Sequence, residues 1–530
     1  MVEAWLGVAM QQDNDLTVVG AIEPGILQAD RFVSRRTLIR NASRAAGGFV
    51  RMGLQPGDAV AILMRNDIAF LEASLAAIEM GAHAVPINWH AKPQEIEYIL
   101  KDSGARVLVA HSDLLASLGA EHVSGLEVLS VKTPPDLLGP YRIDAEKVMP
   151  EIAARDWHQW LREQPEHLSD APKFIQSMLY TSGTTGVPKG VRRFAPTAEQ
   201  KLLMQETRRN VYGVTPGVRL MIPGPLYHGA PNGIAISAAV VADLLVLMPR
   251  FEPEQLLADI ERHRIGCVFL VPTMFVRLLG LPAEVRAKYD LSSLRFVLHG
   301  AAPCPADVKR RMIEWWGPVI HEFYGGTETG PIAFSDSAAW LQRPGSVGQV
   351  LDRVALRILD ESGADCPPGV PGEIFARLSH YPDFTYHGQE AKRREVERDG
   401  LITLGDIGYR DDEGFLFLCD RKRDMVIIGG ANIYPAEVES VLTAMPGVKD
   451  CAVFGIPDAE YGEALLALVE PHQAHSFGPE EVLGYLRQRL SGFKVPRQVE
   501  IRSCLPREDS GKIRKRLLRA PYWEAAGRLI

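Results

Sequence analysis

The densest group of reactive side chains in the sequence is YTSGTTGVPKG at residues 180–190, directly after the strand-like segment FIQSMLY. Its members could all bind oxyanions: hydroxyls on Thr181, Ser182, Thr184 and Thr185, turn-forming Gly183 and Gly186, and the charge of Lys189. Backbone N–H groups, hydroxyls and a lysine together hold phosphates. Because the lysine precedes its glycine, the order differs from that of P-loop NTPases. The segment predicts a phosphate-binding loop, with a plain polar turn as the alternative.

Three further segments carry groups that could act on a nucleotide. In YGGTETG at 324–330, Tyr324 could stack on a flat ring and Glu328 offers a hard oxygen ligand for Mg²⁺. Carboxylates at the ends of two strand patterns, Asp406 and the pair Asp420-Arg421, could bind ribose hydroxyls. In PREDSGKIRK at 506–515, Lys512 follows a Ser-Gly turn in a basic tail. Taken one at a time, a surface turn explains YGGTETG equally well. Solvated side chains are the more common explanation for the carboxylates and for the basic tail.

The elements that must position these groups follow an α/β pattern. From about residue 58, strand-length apolar runs alternate with amphipathic helical segments, such as 69–82 and 252–265, which predicts βα units and largely parallel sheets. From about 345 the strands become shorter, which predicts a small barrel or an antiparallel sheet. An independent α+β pattern follows residues 420–435. We therefore predict two domains, 1–422 and 423–530.

Composition excludes several classes of protein. The chain has 530 residues, ordinary globular usage and a net charge of −8, which lacks the basic balance of a nucleic-acid binder. Six dispersed cysteines without a CxxC motif argue against a disulfide framework or a zinc site. The apolar stretch at 234–248 is too short to span a bilayer. The first residues have no basic flank before an apolar run, so no signal peptide is predicted and a cytoplasmic location is expected.

Four segments together carry a family resemblance: YTSGTTGVPKG, YGGTETG, DRKRDMVIIGGANIYP at 420–435 and PREDSGKIRK. In this order and spacing they resemble the adenylate-forming superfamily of acyl-CoA synthetases, firefly luciferase and peptide-synthetase adenylation domains. The resemblance spans residues 30–520. It implies a large N-terminal domain of βα subdomains with parallel sheets plus a small β-barrel, followed by a small α+β domain that rotates as a lid.

The resemblance also implies a two-step reaction. A carboxylate attacks the α-phosphate of ATP and releases pyrophosphate, and a thiol then attacks the acyl-adenylate and releases AMP. By position, the resemblance implies that Thr181 to Lys189 bind the β- and γ-phosphates, that Thr327 binds the α-phosphate and that Asp406 and Arg421 bind the ribose. Tyr324 would pack against adenine together with Gly300, Ala301 and Ala302, Glu328 would bind Mg²⁺, and Lys512 would lie between the carboxylate and the α-phosphate. Arg423 would be the hinge, and Gly429 and Gly430 would lie beside the thiol of CoA.

The acid is expected to be apolar and of medium to large size, such as a fatty, aryl or sterol-type acid. PLYHGAP at 225–231, with Tyr227 and His228, resembles the segment that borders the acyl pocket in the family. No acidic residue occurs in 222–242, which disfavours an amino-acid substrate. Glycine at 325, beside Gly326, is expected to leave space where acetate-activating relatives have tryptophan. Phe323 either narrows one wall or only packs the core.

The expected acceptor is CoA, because the tail is basic and no carrier domain follows. The alternatives are delivery of the acyl group to a carrier protein and a nucleotide-binding regulator without catalysis. The small-molecule acid, ATP and CoA are thus the expected partners. The sequence leaves the oligomeric state open, with a homodimer as one alternative.

Overall fold

The computed structural model describes residues 23–144, 152–167, 175–181, 188–428, 431–458, 461–472, 475, 477–507 and 513–525. Within these ranges the strands form four sheets, three of which contain parallel pairings. One of these three lies in the C-terminal region. The predicted α/β class is confirmed.

The first βα units build a five-stranded sheet in which every pairing is parallel. Its strands, in spatial order, are His83–Pro86, Ala59–Leu63, Ala105–His111, Glu127–Val131 and Arg155–Asp156. The helix predicted at 69–82 is Ile68–Met80, and it ends at Gly81, whose φ of +81° suits glycine. This helix is buried along its whole length because it packs between elements of two sheets.

The largest sheet has fourteen strands and changes character along its width. In spatial order its strands are Val354–Leu359, Gly372–Leu378, Leu401–Arg410, Phe415–Arg421, Gly348–Val350, Gly330–Ser335, Ile320–Gly326, Phe296–His299, Cys267–Leu270, Arg219–Ile222, Leu244–Leu247, Gly25–Gln28 and Arg31–Ser34, with Glu397–Arg398 pairing on Leu401–Arg410. Strand Ile320–Gly326 is parallel to one neighbour, Phe296–His299, and antiparallel to the other, Gly330–Ser335. Of the two arrangements expected after residue 345, the described pairings are those of an antiparallel sheet.

A three-stranded antiparallel sheet carries the ends of the predicted phosphate-binding loop. Its strands are Phe384–Tyr386, Lys189–Arg193 and Leu179–Thr181. Thr181 is the direct partner of Lys189 in this ladder, so strand register brings the first and last polar residues of the segment together.

The C-terminal region forms a sheet of its own with its own apolar core. Its strands are Ala431–Ile433, Val426–Ile428, Gly462–Pro471, Val448–Asp458 and Gln498–Ile501, and its helices are Pro435–Thr443, Pro479–Arg487 and Lys515–Ala525. The basic tail is not simply a solvated face. Leu518 and Tyr522 of the last helix pack on Phe454, because apolar residues four apart lie on one face of a helix.

The remaining helices cover the faces of the sheets or lie in the connections. They are Arg35–Arg51, Pro93–Asp102, Ser112–Ser117, Ala120–Val123, Pro135–Tyr141, Trp157–Arg162, Ala198–Asn210, Gly229–Val241, Pro253–His263, Pro272–Leu279, Ala283–Arg286, Ala306–Trp316, Ser337–Gln342, Glu390–Glu395 and Gly492–Lys494. None of the described helices is long and apolar enough to cross a membrane.

Candidate active site

A cleft of about 3300 Å³ lies beside strand Ile320–Gly326, where the large sheet changes from parallel to antiparallel pairing. Most of the predicted site residues line it: Thr181, Lys189, Tyr227, His228, Ala301, Ala302, Phe323, Tyr324, Gly325, Gly326, Thr327, Glu328, Asp406, Arg421 and Arg423. Ligands in α/β sheets bind at such carboxyl ends of strands. The structure thus brings together segments that are far apart in the chain.

Some predicted residues lie elsewhere or outside the description. Ser182, Gly183, Thr184, Thr185, Gly186, Gly429, Gly430 and Lys512 are outside the described residues. Gly300 is buried behind the cleft wall, where a Cβ would lie 2.9 Å from the ring and the carbonyl oxygen of Phe323. Only glycine permits this close approach of the two strands.

Glu328 lies in the turn between strands Ile320–Gly326 and Gly330–Ser335. Its Oε1 accepts hydrogen bonds from the hydroxyl of Tyr386 at 3.1 Å and from Thr181 Oγ1 at 3.3 Å. Inside the turn, the Gly326 N–H donates to Thr329 Oγ1 at 3.1 Å. The half-buried carboxylate is therefore held by hydroxyl groups and lines the cleft.

Lys189 lies on the same side of the cleft as Glu328. Its ammonium is 4.9 Å from the ring centre of Tyr386, so this ring lies between the lysine and the carboxylate that its hydroxyl contacts. Burial, with a smaller contribution from the nearby Lys392, lowers the pKa of Lys189, although Glu395 and Glu328 oppose the shift. Lys189 and Glu328 form a polar end of the cleft with both signs of charge.

Three residues form a second polar end. The Tyr324 hydroxyl donates to Asp406 Oδ2 at 2.8 Å, and Arg421 Nε lies 3.3 Å from Asp406 Oδ1. Asp406 and Arg421 are direct partners in the antiparallel ladder, so register alone places them together. Burial and the Asp406 carboxylate raise the pKa of Tyr324 far above its ordinary value, which keeps the hydroxyl protonated as a donor.

Aromatic residues line part of the cleft. The rings of Tyr227 and His228 are 4.4 Å apart, directly before the helix Gly229–Val241. Phe323 packs edge-on against Tyr212 at 5.4 Å and lies 6.3 Å from Phe269. Phe323 therefore fulfils both alternatives, because it packs the core and also lines the cleft.

The explanation for Gly325 needs a correction. A Cβ at Gly325 would lie 2.2 Å from the carbonyl oxygen of Gly330, and one at Gly326 would lie 2.7 Å from the side chain of Leu404. The interpretation that glycine at 325 opens space for the acid is therefore wrong in its geometry. Glycine is required there because the two strands approach closely at the irregular pairing between Tyr324 and Gly325.

Around the predicted hinge, Arg423 lines the cleft and its Nε is 3.9 Å from Asp424 Oδ1. The Lys515 ammonium, which also lines the cleft, lies 2.7 Å from Glu439 Oε1. Burial opposes the charge of Lys515, but Glu439 and Asp420 together raise its pKa. Lys515 is thus a half-buried, ion-paired lysine three residues after Lys512.

Two residues near Glu328 were missed by the sequence analysis, Tyr386 and Arg193. Arg193 is 6% exposed and donates to the main-chain carbonyls of Thr327 and Glu328. One sequence signal for Arg193 exists: in the strand KGVRR it falls on the same face as Lys189 and the buried Val191, an inward position where a charge is unusual.

The described residues supply one carboxylate ligand for a metal ion, not a complete coordination shell. Within the described part of the chain there is no cluster of three or more His, Cys, Asp and Glu residues that could hold a metal. Glu328 is a single carboxylate among hydroxyls. This is the kind of ligand that Mg²⁺ takes when substrate phosphates and water complete its shell.

Comparison with known proteins agrees with this architecture. The chain matches the AMP-binding enzyme family over residues 9–380 and the C-terminal domain of AMP-binding enzymes over residues 437–512. The chain therefore belongs to the AMP-binding enzyme family.

Individual proteins of this family are similar to the chain over nearly its whole length. It is similar to a feruloyl-CoA synthase of Amycolatopsis sp (34% identity over 90% of this chain and 91% of the relative) and to the long-chain-fatty-acid–CoA ligase FadD13 of Mycobacterium tuberculosis (31%, covering 91% of each). It also resembles the fatty acid–[acyl-carrier-protein] ligase ScoC of Streptomyces coeruleorubidus (30%, 96% and 95%). Among solved structures, the anthranilate CoA ligase AuaEII in complex with anthranoyl-AMP superposes with a TM-score of 0.83 at 25% identity, over 99% of this chain and 98% of that one.

The resemblance predicted from the sequence is confirmed. The chain is an adenylate-forming enzyme of the acyl-CoA synthetase branch, and ATP and CoA are the co-substrates of this branch.

Proposed function

We propose that the chain is an AMP-forming ligase that joins an apolar carboxylic acid of medium to large size to CoA through an acyl-adenylate. The observation that carries this proposal is the arrangement of two polar ends in one cleft. Tyr324 and Glu328 lie on one hairpin, yet Tyr324 contacts Asp406 while Glu328 contacts Thr181 and Tyr386. A nucleotide lying along this hairpin would have its ribose at one end and its phosphates at the other.

In the first step, a carboxylate oxygen of the acid attacks the α-phosphorus, and pyrophosphate leaves with the electron pair of the broken P–O bond. The acid and ATP are both anions, so cations must reduce their repulsion. We assign this role to Lys512, with Thr327 on the α-phosphate and Thr181, Lys189 and the segment 182–186 on the other phosphates. Mg²⁺, held by Glu328 and the phosphates, would supply further positive charge.

At the other end, Asp406 would accept hydrogen bonds from ribose hydroxyls, with Arg421 and Tyr324 orienting its carboxylate. The ring of Tyr324 would stack on adenine opposite Ala301 and Ala302, with Gly300 giving room behind them.

In the second step, the thiolate of CoA attacks the acyl carbon and AMP leaves. We propose that the chain divides into domains 1–422 and 423–530, and that rotation at Arg423 withdraws Lys512 and presents Gly429 and Gly430 to the pantetheine arm. Glycines let a narrow thiol pass close to the backbone. Arg423 stands where relatives often have aspartate or lysine.

The acyl group would lie against the aromatic wall formed by Tyr227, His228 and Phe323, with Gly325 and Gly326 at its base. This wall and the absence of acidic residues in 222–242 favour an uncharged apolar group over an amino acid. Related enzymes are named for an arylpropenoic acid and for long-chain fatty acids. We therefore propose an aryl or fatty acid, with a sterol-type side chain as the bulkiest alternative.

The similarity to ScoC favours a second candidate, delivery of the acyl group to a carrier protein. One experiment separates the two. Purified chain is given ATP, Mg²⁺ and a panel of acids graded by length and ring content, and AMP release is measured with and without CoA. Acyl-CoA formation with stimulated AMP release supports the ligase. Acid-dependent pyrophosphate exchange without any acyl-CoA supports the carrier alternative, and no exchange with any acid contradicts both.

A further inference from the structure

The buried guanidinium of Arg193 holds the turn that carries Thr327 and Glu328. One of its nitrogens, Nη2, donates to the carbonyl oxygens of both Thr327 and Glu328, the latter at 2.8 Å. The other, Nη1, donates to the carbonyl of Pro382 at 2.6 Å. Two consecutive peptide groups of the turn are thus fixed by one side chain from a different sheet.

The environment of this charge is costly for the fold. Arg193 lies 4.7 Å from the ring centre of Tyr381 and 5.8 Å from that of Phe384, and burial lowers the pKa of its guanidinium. A buried charge destabilises a protein unless hydrogen bonds and aromatic faces compensate. Here the compensation comes from carbonyl oxygens, two of which belong to the turn of Glu328. An apolar residue would fill this site at lower cost if packing were its only task.

The same strand also carries Lys189. Residues 189 and 193 are four apart and therefore share one face of the strand Lys189–Arg193. This strand pairs with Phe384–Tyr386, and Tyr386 places its hydroxyl 3.1 Å from Glu328 Oε1 and its ring 4.9 Å from the Lys189 ammonium. The small sheet thus contacts Glu328 at two places: Arg193 binds its main-chain carbonyl and Tyr386 binds its carboxylate.

We propose that Arg193 is a positioning residue that fixes the Thr327–Glu328 turn relative to Lys189, and that Tyr386 orients the Glu328 carboxylate. This inference rests on the proposed function, in which these groups bind the phosphates of ATP. Preorganised charges stabilise a transition state because they need no rearrangement when the reaction occurs. A turn without Arg193 would have to be ordered at each binding event.

The test compares two adjacent arginines. Arg193→Lys keeps the charge but cannot supply a planar set of donors to three carbonyls. Arg192→Lys is the matched control, because Arg192 lies on the opposite face of the strand and donates to His83 Nε2 at 3.0 Å, away from the cleft. We expect Arg193→Lys to reduce kcat for acid-dependent pyrophosphate exchange by about 10–100-fold, the usual cost of removing an outer contact to a charged ligand. Arg192→Lys should retain the wild-type rate.

Binding measurements show whether a loss is local. Calorimetric titration of Arg193→Lys should show a larger loss of MgATP binding than of AMP binding, since AMP keeps the α-phosphate that we assign to Thr327 but lacks the β- and γ-phosphates. Tyr386→Phe removes one hydroxyl and is expected to lower the exchange rate about tenfold through the loss of one hydrogen bond to a charged group. If Arg193→Lys does not fold, Tyr386→Phe is the variant that tests the inference.

The outcomes are distinguishable. Wild-type exchange and MgATP binding in folded Arg193→Lys, or equal losses in the two arginine variants, would overturn the inference. So would an unchanged rate in Tyr386→Phe if that variant has to carry the test. Absence of exchange in the wild-type chain contradicts the proposed function instead. In that case the inference is decided by the binding data alone.

Discussion

The two polar ends of the cleft are assembled in different ways. At the end that we assign to the ribose (the ribose end), Asp406 and Arg421 are neighbours in a strand ladder, and Tyr324 reaches them from the same sheet. At the end that we assign to the phosphates (the phosphate end), Glu328 is contacted by Thr181, 147 positions away, and its turn is fixed by Arg193 from another sheet. Strand register determines the first end, whereas buried side chains that bridge two sheets determine the second. We therefore expect the phosphate end to be the more sensitive to single substitutions.

The largest effect is expected from the charge that we place between the two ends. Lys512→Ala should slow adenylation about 100–1,000-fold, equivalent to about 3–4 kcal/mol of lost transition-state stabilisation. Conversion of a supplied acyl-adenylate to the thioester should continue, because the lysine has left the site in that step. Pre-steady-state assays of each half-reaction make the measurement, and equal losses in both would contradict the rotating lid.

Glu328→Gln tests the phosphate end directly. Glutamine keeps an oxygen that can accept from Tyr386 but loses the negative charge, so we expect kcat for pyrophosphate exchange to fall about 100-fold. AMP affinity, measured by calorimetry, should stay near that of the wild type. A parallel loss of AMP binding would mean that the variant disturbs the whole cleft rather than its phosphate end.

At the ribose end, Tyr324→Phe removes the hydroxyl that donates to Asp406 and keeps the ring. Loss of one hydrogen bond to a charged group costs about 1.5 kcal/mol, so the Kd values of AMP and ATP should both rise about tenfold. The rate of exchange at saturating ATP should change little. If Tyr324→Phe kept normal AMP affinity but had a reduced kcat, the claim that the two ends have different roles would be contradicted.

The smallest effect is a difference in pH dependence. Burial lowers the pKa of Lys189 below its ordinary 10.5, and only the protonated form attracts phosphates. As pH rises through this lowered pKa, the charge is lost, so kcat/KM for ATP should decline at a pH below 10.5 while AMP affinity does not. Lys189→Arg should flatten the profile because arginine stays charged. Parallel declines for ATP and AMP would contradict the assignment of Lys189 to the phosphate end.

The sequence predicts some parts of the fold and the site better than others. The alternation of strands and helices was sufficient to predict the parallel sheets. The shared place of Asp406 and Arg421 was implied only by the family resemblance, and the structure pairs them directly in adjacent strands. The proximity of segments 180–190 and 324–330 was likewise implied by the family resemblance, and in the structure Thr181 donates to Glu328.

What the sequence did not reveal depends on tertiary packing. Tyr386 belongs to a short strand without a distinctive pattern, and the unusual inward charge of Arg193 does not by itself indicate a partner. The role of both residues becomes visible only where the small sheet contacts the Glu328 turn. Gly325 was assigned to an open pocket because a missing side chain was equated with empty space. In the structure the backbone of Gly330 occupies that space. The helix Lys515–Ala525 was not predicted from the sequence, because its many basic residues made the segment resemble a solvated tail. Its apolar residues nevertheless pack on Phe454.

The most direct test of the two-ended cleft is a crystal structure of the chain with a bound acyl-adenylate and, separately, with MgATP. Our account predicts the ribose within hydrogen-bonding distance of Asp406 and the β- and γ-phosphates between Lys189 and Glu328. A nucleotide bound in the opposite orientation, or on a surface that contacts neither Asp406 nor Glu328, would contradict it.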